Sequence, residues 1–365
     1  MTASRLTVVI VDDSALYRQM LMNVLRRVEG VEVVGTAADG AEAVARVRDL
    51  RPDVITLDVA MPTMDGIAVL KALRRAGSTT RAIMVSSLTG ANDPTTVEAL
   101  LEGAFDHVQK PAGLEPHLAR EAIRLSLAEK LQAVRAAMRH PGIAAVSADT
   151  VGGPLAWRSD LPYDAIAIGT STGGPEALRT LVPGLPAGMP VPAFVVQHMP
   201  AMFTPTLAAR LDELASARVR HAAAGMPVEP GGVYVAPGGR HLRLERTERG
   251  VACMIDDSAP RLGCRPSFDT LLESMVPIYG RRMVAVVLTG MGCDGLAGCR
   301  RLRDAGGLVI AQSPETCAVY GMPKAVVDDS LASAVLPLRA IAAALAQQPP
   351  TGGQPSTSDR TSSAT

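Results

Sequence analysis

Residues 6–21, LTVVIVDDSALYRQML, decide how the first third of this 365-residue chain folds. The run Leu6–Val11 is rich in β-branched residues and suits a strand covered on both faces, and the acidic pair Asp12-Asp13 ends it. Apolar positions then recur at helical spacing over Ser14–Val28. The same unit repeats down the chain. Strands are expected at Val31–Gly35, Val54–Leu57, Ala82–Val85 and Phe105–Val108, with helices at Ala41–Leu50, Gly66–Arg75 and Pro94–Leu101. Five strand–helix repeats imply a parallel, doubly wound α/β sheet whose sites lie at the C-terminal ends of its strands.

The chain is too long for one ordinary domain, and 47% hydrophobic residues are ample for two cores. Aromatics make up only 3%, so those cores must be aliphatic. From Pro116 to Arg139 the pattern is helical. Residues 140–162 then lose periodicity and gather Gly, Pro, Ser and Asp, which marks a boundary. Alternation resumes at Tyr163, with strands expected at Ala165–Ile168, Ala193–Val196, Gly232–Val235, Met283–Leu288 and Leu308–Ala311. The expected plan is a first domain over 1–125, a helical then flexible linker over 126–162, a second parallel α/β domain over 163–346, and a polar, low-complexity, disordered tail over 347–365.

Charge and cysteine usage exclude several classes of function. Lys+Arg and Asp+Glu balance at 36 each, so no global positive charge draws the chain to nucleic acid or an anionic membrane. The five cysteines form no CxxC pair, and their odd number speaks for reduced thiols rather than a disulfide framework. Apolar runs fall far short of the ~18 residues of a membrane span, and no signal peptide precedes the first strand. A cytoplasmic protein is expected.

In a parallel sheet Asp12 and Asp13, after the first strand, neighbour Asp58, after the third. Three carboxylates that close need a counter-cation, and oxygen-only ligands suit Mg²⁺. Lys110, followed by Pro111, supplies an ammonium at the same edge, and Ser86 a hydroxyl. This set suits phosphoryl transfer to a carboxylate. Together with LDVAMPTMDG at 57–66, SS at 86–87 and KP at 110–111, it resembles the response-regulator receiver family across roughly residues 4–125. The resemblance implies a flavodoxin-like fold and Asp58 as acceptor of phosphate from a histidine kinase. It also implies Mg²⁺ at Asp13, Asp58 and the backbone carbonyl of Ala60, beside Asp12, and Ser86 as switch hydroxyl. His107 stands where that family usually has a rotating aromatic residue.

The second domain opens with AIAIGTSTGGPEAL at 165–178, and Gly169–Gly173 fits the G-x-S-x-G turn that exposes a serine hydroxyl beside a helix N-terminus. The same glycines could cradle a phosphate. Against that, no GK[ST] follows, the spacing is not G-x-G-x-x-G, and no acidic residue closes the next strand. That strand ends instead in Gln197-His198, one strand end from Ser171. A base within reach of an exposed serine makes a nucleophile, and Asp294, in LTGMGCDG at 288–295, can orient the imidazole. Taken singly, His198 reads as a structural histidine and Asp294 as a helix cap.

GTSTGGPEAL, VVQHMP, VYVAPGGRHL, CRPSFDTLLES, LTGMGCDG and YGMPKAV lie in collinear order across 163–346. They resemble the catalytic domain of the CheB family of chemotaxis methylesterases. The resemblance implies a Rossmann-like domain that hydrolyses glutamate methyl esters and deamidates glutamines on chemoreceptor helices, needing no cofactor for the ester step. It implies Ser171 as nucleophile, His198 as base and Asp294 as its orienter, with Thr172 supporting the histidine and Met291 in the oxyanion loop. The expected partners are a chemotaxis histidine kinase and methyl-accepting receptors, with no nucleic acid and no membrane insertion, and the expected state is a monomer. A receiver-linked transcription factor lacks a basic recognition helix here. A non-catalytic adapter would have no use for the triad.

Overall fold

A computed structural model describes residues 5–87, 94–111, 113–139, 163–186 and 188–346. The expected flexible segment 140–162 and the tail 347–365 lie outside the described residues. The first sheet contains β1 (Leu6–Val11), β2 (Val31–Ala37), β3 (Val54–Leu57), β4 (Arg81–Ser87) and β5 (Asp106–Lys110) in the order β2-β1-β3-β4-β5, with every pairing parallel. Its helices are α1 (Ala15–Leu25), α2 (Gly40–Leu50), α3 (Gly66–Arg75), α4 (Pro94–Leu101) and α5 (Pro116–Arg139). Side-chain caps start three of them: Ser14, Asp39 and Asp65 each accept from the backbone N–H three residues on. This is the doubly wound, flavodoxin-like arrangement, and β1 and β3 flank its switch point.

Several element boundaries differ from expectation by a few residues, and two of the differences matter for the site. β5 begins at Asp106, one residue after Phe105, and runs through Lys110, which therefore belongs to the strand end rather than the loop after it. α5 spans 24 residues, so the boundary expected after residue 125 falls inside a continuous helix. Leu127, Leu131 and Val134 are buried in the core of the first sheet, because an amphipathic helix of that length keeps one stripe on the sheet throughout.

The second sheet has seven strands. They are β6 (Ala165–Thr170), β7 (Ala193–Gln197), β8 (Val219–His221), β9 (Val233–Val235), β12 (Met283–Val287), β13 (Leu308–Gln312) and β14 (Ala334–Leu336). Their order is β14-β13-β12-β6-β7-β9-β8, again with parallel pairing throughout. A separate antiparallel ribbon pairs β10 (His241–Thr247) with β11 (Gly250–Asp256). The helices are α6 (Gly174–Leu181), α7 (Thr204–Leu214), α8 (Phe268–Tyr279), α9 (Leu296–Asp304), α10 (Met322–Asp328) and α11 (Leu338–Ala346). All residues of β6, β7 and β12 are buried, as expected for central parallel strands covered on both faces. From β6 the chain builds outward to one side through β7 and later to the other through β12. That switch point puts the ends of β6, β7 and β12 side by side.

No described helix is long and apolar enough to cross a membrane. The two sheets are not independent. One apolar cluster continues from α3 and α4 into α6, α7 and α11. Leu131→Ala is expected to cost about 2–5 kcal/mol, the usual range for a buried leucine truncation, and to lower the denaturant midpoint of the first domain. An unchanged midpoint would remove the second half of α5 from that core.

Candidate functional site

At the C-terminal edge of the first sheet, oxygens of Asp12, Asp13 and Asp58 come within 4.8 Å of one another. Lys110 Nζ donates to Asp12 Oδ2 and Asp58 Oδ2, both at 2.8 Å. Burial raises the Asp58 pKa, against the lowering effect of Lys110. An all-oxygen donor set with more carboxylates than ammonium groups fits a hard divalent cation such as Mg²⁺, and Asp13 and Ala60 are both exposed residues. The buried Ser86 Oγ lies 3.1 Å from Thr96 Oγ1, which ties the end of β4 to α4.

At the second sheet Ser171 and His198 directly follow β6 and β7, and Asp294 lies in the loop between β12 and α9. The turn after β6 is tight: Gly174 N–H donates to the Ser171 carbonyl at 2.8 Å, and Gly173 takes φ +75° as it opens α6. Gly290 backs onto this turn so closely that a Cβ there would stand 2.8 Å from Ser171 Cβ, so only glycine fits. Among the described residues, the N–H groups of Thr172 and Gly173 donate to no other group. They stand at the positive end of α6, where an oxyanion would be held.

Asp294 sits at the N-terminus of α8 and is not a cap of α9, whose N-cap is Gly295. Its Oδ1 accepts from Ser267 Oγ at 2.8 Å and Asp269 N–H at 3.1 Å. Its Oδ2 accepts from Phe268 N–H at 2.6 Å and pairs with His198 Nε2 at 2.8 Å. Burial works against the charged carboxylate, but the bonds from His198 and these backbone donors outweigh it and lower the pKa. An ionised carboxylate only accepts, so Nε2 carries the ring proton and Nδ1 is the basic atom.

Two expectations need correction. No hydrogen bond joins Ser171 Oγ to the His198 ring among the described residues; Nδ1 instead faces Cys264 Sγ at 3.6 Å. Both ring nitrogens are thus already engaged. Thr172 does not support the histidine: its Oγ1 donates at 2.7 Å to Oδ2 of Asp106, on β5 of the first domain. Met291 is exposed and lines the cleft.

Asp106 belongs to a face of the first domain that closes over this site. Phe105, Asp106, His107 and Lys130 line the same cleft of about 630 Å³ as Ser171, His198 and Asp294. Burial would raise the Asp106 pKa, but its bond with His107, the charge of Lys130 at 3.3 Å and the Thr172 hydroxyl hold the carboxyl well below the usual range. His107 packs edge-on against Phe203, ring centroids 4.9 Å apart. Arg179 of α6 donates to the Leu101 carbonyl at 2.8 Å and faces Glu102 at 3.5 Å. Sequence reasoning missed Asp106, Ser267 and Cys264. The last two sit in the quoted stretch CRPSFDTLLES, while nothing local marks Asp106 as an interface residue.

A family model described as CheB methylesterase matches residues 166–345, and one described as response regulator receiver domain matches residues 8–122. A protein-glutamate methylesterase/protein-glutamine glutaminase of Symbiobacterium thermophilum is 42% identical over 353 residues, spanning 93% of this chain and 95% of its own. The Thermotoga maritima protein of that description is 40% identical over 337 residues, with 92% and 96% covered. The crystal structure of the Thermotoga maritima CheB methylesterase catalytic domain superposes with a TM-score of 0.50 at 42% identity, covering 51% of this chain and 99% of that one.

Burial lowers the His198 pKa, but the bonds to Asp294 and Cys264 raise it further, to about 9. The folding stability this charged ring contributes is therefore fully present below 6.5, its ordinary value, and is lost as the pH rises through about 9. Imidazole resonances of His198 followed by NMR should titrate near that upper value, and Asp294→Asn should bring the midpoint down. A His198 midpoint at or below the ordinary value would refute this electrostatic picture.

Proposed function

The chain belongs to the CheB methylesterase family, and on that premise we propose that it hydrolyses glutamate methyl esters on chemoreceptor helices under the control of a phosphate on Asp58. It is a protein-glutamate methylesterase and protein-glutamine glutaminase joined to a receiver domain. The observation that carries the assignment of chemistry is the convergence of Ser171, His198 and Asp294 on one cleft, with Asp294 fixing which imidazole nitrogen is basic.

In this reading Ser171 Oγ attacks the γ-carbonyl carbon of the ester while the neutral form of His198, whose share grows as the pH rises toward about 9, takes the serine proton on Nδ1. Nδ1 first exchanges its contact with Cys264 for one with Ser171. Such bonds are commonly long before substrate arrives and tighten in the complex. The oxyanion accepts hydrogen bonds from the Thr172 and Gly173 N–H groups. The imidazolium, stabilised by Asp294, then protonates the departing methoxide, and methanol leaves an acyl-serine. Water, deprotonated by the same nitrogen, releases the glutamate carboxyl and restores Ser171. A glutamine side chain follows the same course with ammonia as leaving group.

Control follows from the way the receiver covers the cleft. Asp12, Asp13, Asp58 and the Ala60 carbonyl would hold Mg²⁺, which neutralises charge during transfer of phosphate from a histidine kinase. A phosphate on Asp58 competes for Lys110 and for the Ser86 hydroxyl. Drawing Ser86 away from Thr96 frees the β4 end of α4, which packs on α6 and α7. The Asp106–Thr172 bond and the His107–Phe203 contact then part and open the way to Ser171.

Methanol release from a methylated receptor array, with and without a small phosphodonor, tests both halves. Ser171→Ala is expected to lower the rate about 10⁴-fold or more. Near wild-type release by this variant would eliminate it as nucleophile. Asp106→Ala is expected to raise the unphosphorylated rate several-fold and shrink the gain from phosphodonor. A basal rate equal to that of the parent would rule Asp106 out as a latch.

A further inference from the structure

The Nδ1 side of His198 carries a group for which ester hydrolysis has no role. Cys264 ends a four-residue loop closed by two backbone hydrogen bonds, Arg261 N–H to the Cys264 carbonyl at 3.0 Å and Cys264 N–H to the Arg261 carbonyl at 2.8 Å. The loop fixes the thiol at the cleft wall, half-buried, with Sγ 3.6 Å from His198 Nδ1. With Zn–S near 2.3 Å and Zn–N near 2.0–2.1 Å, two ligands of one tetrahedral zinc ion stand about 3.6 Å apart. The observed spacing, that of an S–H···N hydrogen bond, is also that of a ligand pair.

The other side of the ring fits as well. A metal-bound imidazole characteristically donates its second N–H to a carboxylate, which orients the ring and strengthens it as a ligand. Asp294 already accepts from Nε2 at 2.8 Å. Its two oxygens are otherwise taken by Ser267, Phe268 and Asp269, so it backs the histidine and is not itself a ligand. We propose that His198 Nδ1 and Cys264 Sγ form a binding site for a thiophilic divalent cation of the zinc class, and that a bound ion silences the esterase. Two coordination positions remain for water on the cleft side. The ion takes the lone pair that would receive the Ser171 proton, so occupancy and turnover exclude one another.

Donor chemistry separates this site from the receiver pocket. Thiolate and imidazole select a soft or borderline ion, whereas Asp12, Asp13 and Asp58 select a hard one. The inhibition rests on the reading of His198 as the base; the binding does not.

Cobalt(II) is a spectroscopic stand-in for zinc. Added to the full-length protein in excess Mg²⁺, it is expected to give a thiolate-to-cobalt charge-transfer band that zinc displaces. The band is expected to persist in Ser171→Ala and to vanish in both Cys264→Ser and Cys264→Ala. Zinc is expected to inhibit methanol release by the parent, reversibly on addition of chelator. Loss of a ligand should cost at least as much as loss of an outer-shell partner, so Cys264→Ser should need about tenfold more zinc or beyond for half-inhibition. A band that survives both Cys264 variants, or one abolished by Cys293→Ser instead, overturns the site. Equal zinc sensitivity in the parent and Cys264→Ser overturns the inhibition. A parent that releases no methanol at all counts against the esterase reading, while the cobalt band still decides the site.

Discussion

The carboxylate of Asp294 fixes more of the active region than any other group. It is buried, ionised and surrounded by four donors, three of them from the start of α8. That bonding ties the loop after β12 to the helix N-terminus and turns one definite edge of the His198 ring toward it. With the ring so turned, the identity of the basic nitrogen follows, and with it the direction from which an acyl group must be attacked. An anion at a helix N-terminus is favourable in itself, so the arrangement does not depend on substrate. The site is held ready before any ester arrives.

A second buried carboxylate, Asp106, has a comparable place between the two domains. Lys130 and His107 of its own domain, together with Thr172 of the other, make its charge tolerable. A buried anion of this kind costs much if its partners leave one by one. Of these partners only Thr172 crosses to the other domain, so parting the domains exchanges one hydroxyl for water while Lys130 and His107 stay beside the carboxylate.

Much of this was legible in the sequence, for physical reasons. Central parallel strands must be covered on both faces, so LTVVIV, AIAIGT, AFVVQ and MVAVV announce themselves as apolar runs, and their C-terminal residues fall at one edge. Asp12, Asp58, Ser171 and His198 directly follow such strands, whereas Lys110 and Asp294 are legible only from KP at 110–111 and the LTGMGCDG loop. The β10–β11 ribbon was missed although His241–Thr247 alternates in the manner of a half-exposed strand. That alternation is short and is flanked by glycine-rich loop sequence, which masks its period of two. The strands β8 and β14 are too short to carry a pattern. Thr172 and Asp106 could not be paired at all, because they lie 66 residues apart on different domains and no local rule joins them. Cys264 was hidden for a similar reason: its loop geometry, and not its chemistry, brings it to the imidazole.

Glu102 lies between two arginines, Arg74 of α3 at 2.9 Å and Arg179 of α6 at 3.5 Å, and Arg210 of α7 faces Glu98 at 3.8 Å. The arginines of these pairs reach solvent, where dissolved ions compete for charge within a Debye length of about 8 Å at physiological ionic strength. Only the contacts that span the two domains weaken the closed form when they are screened. Under the control proposed above, the balance between covered and uncovered forms would therefore shift with ionic strength as well as with phosphate.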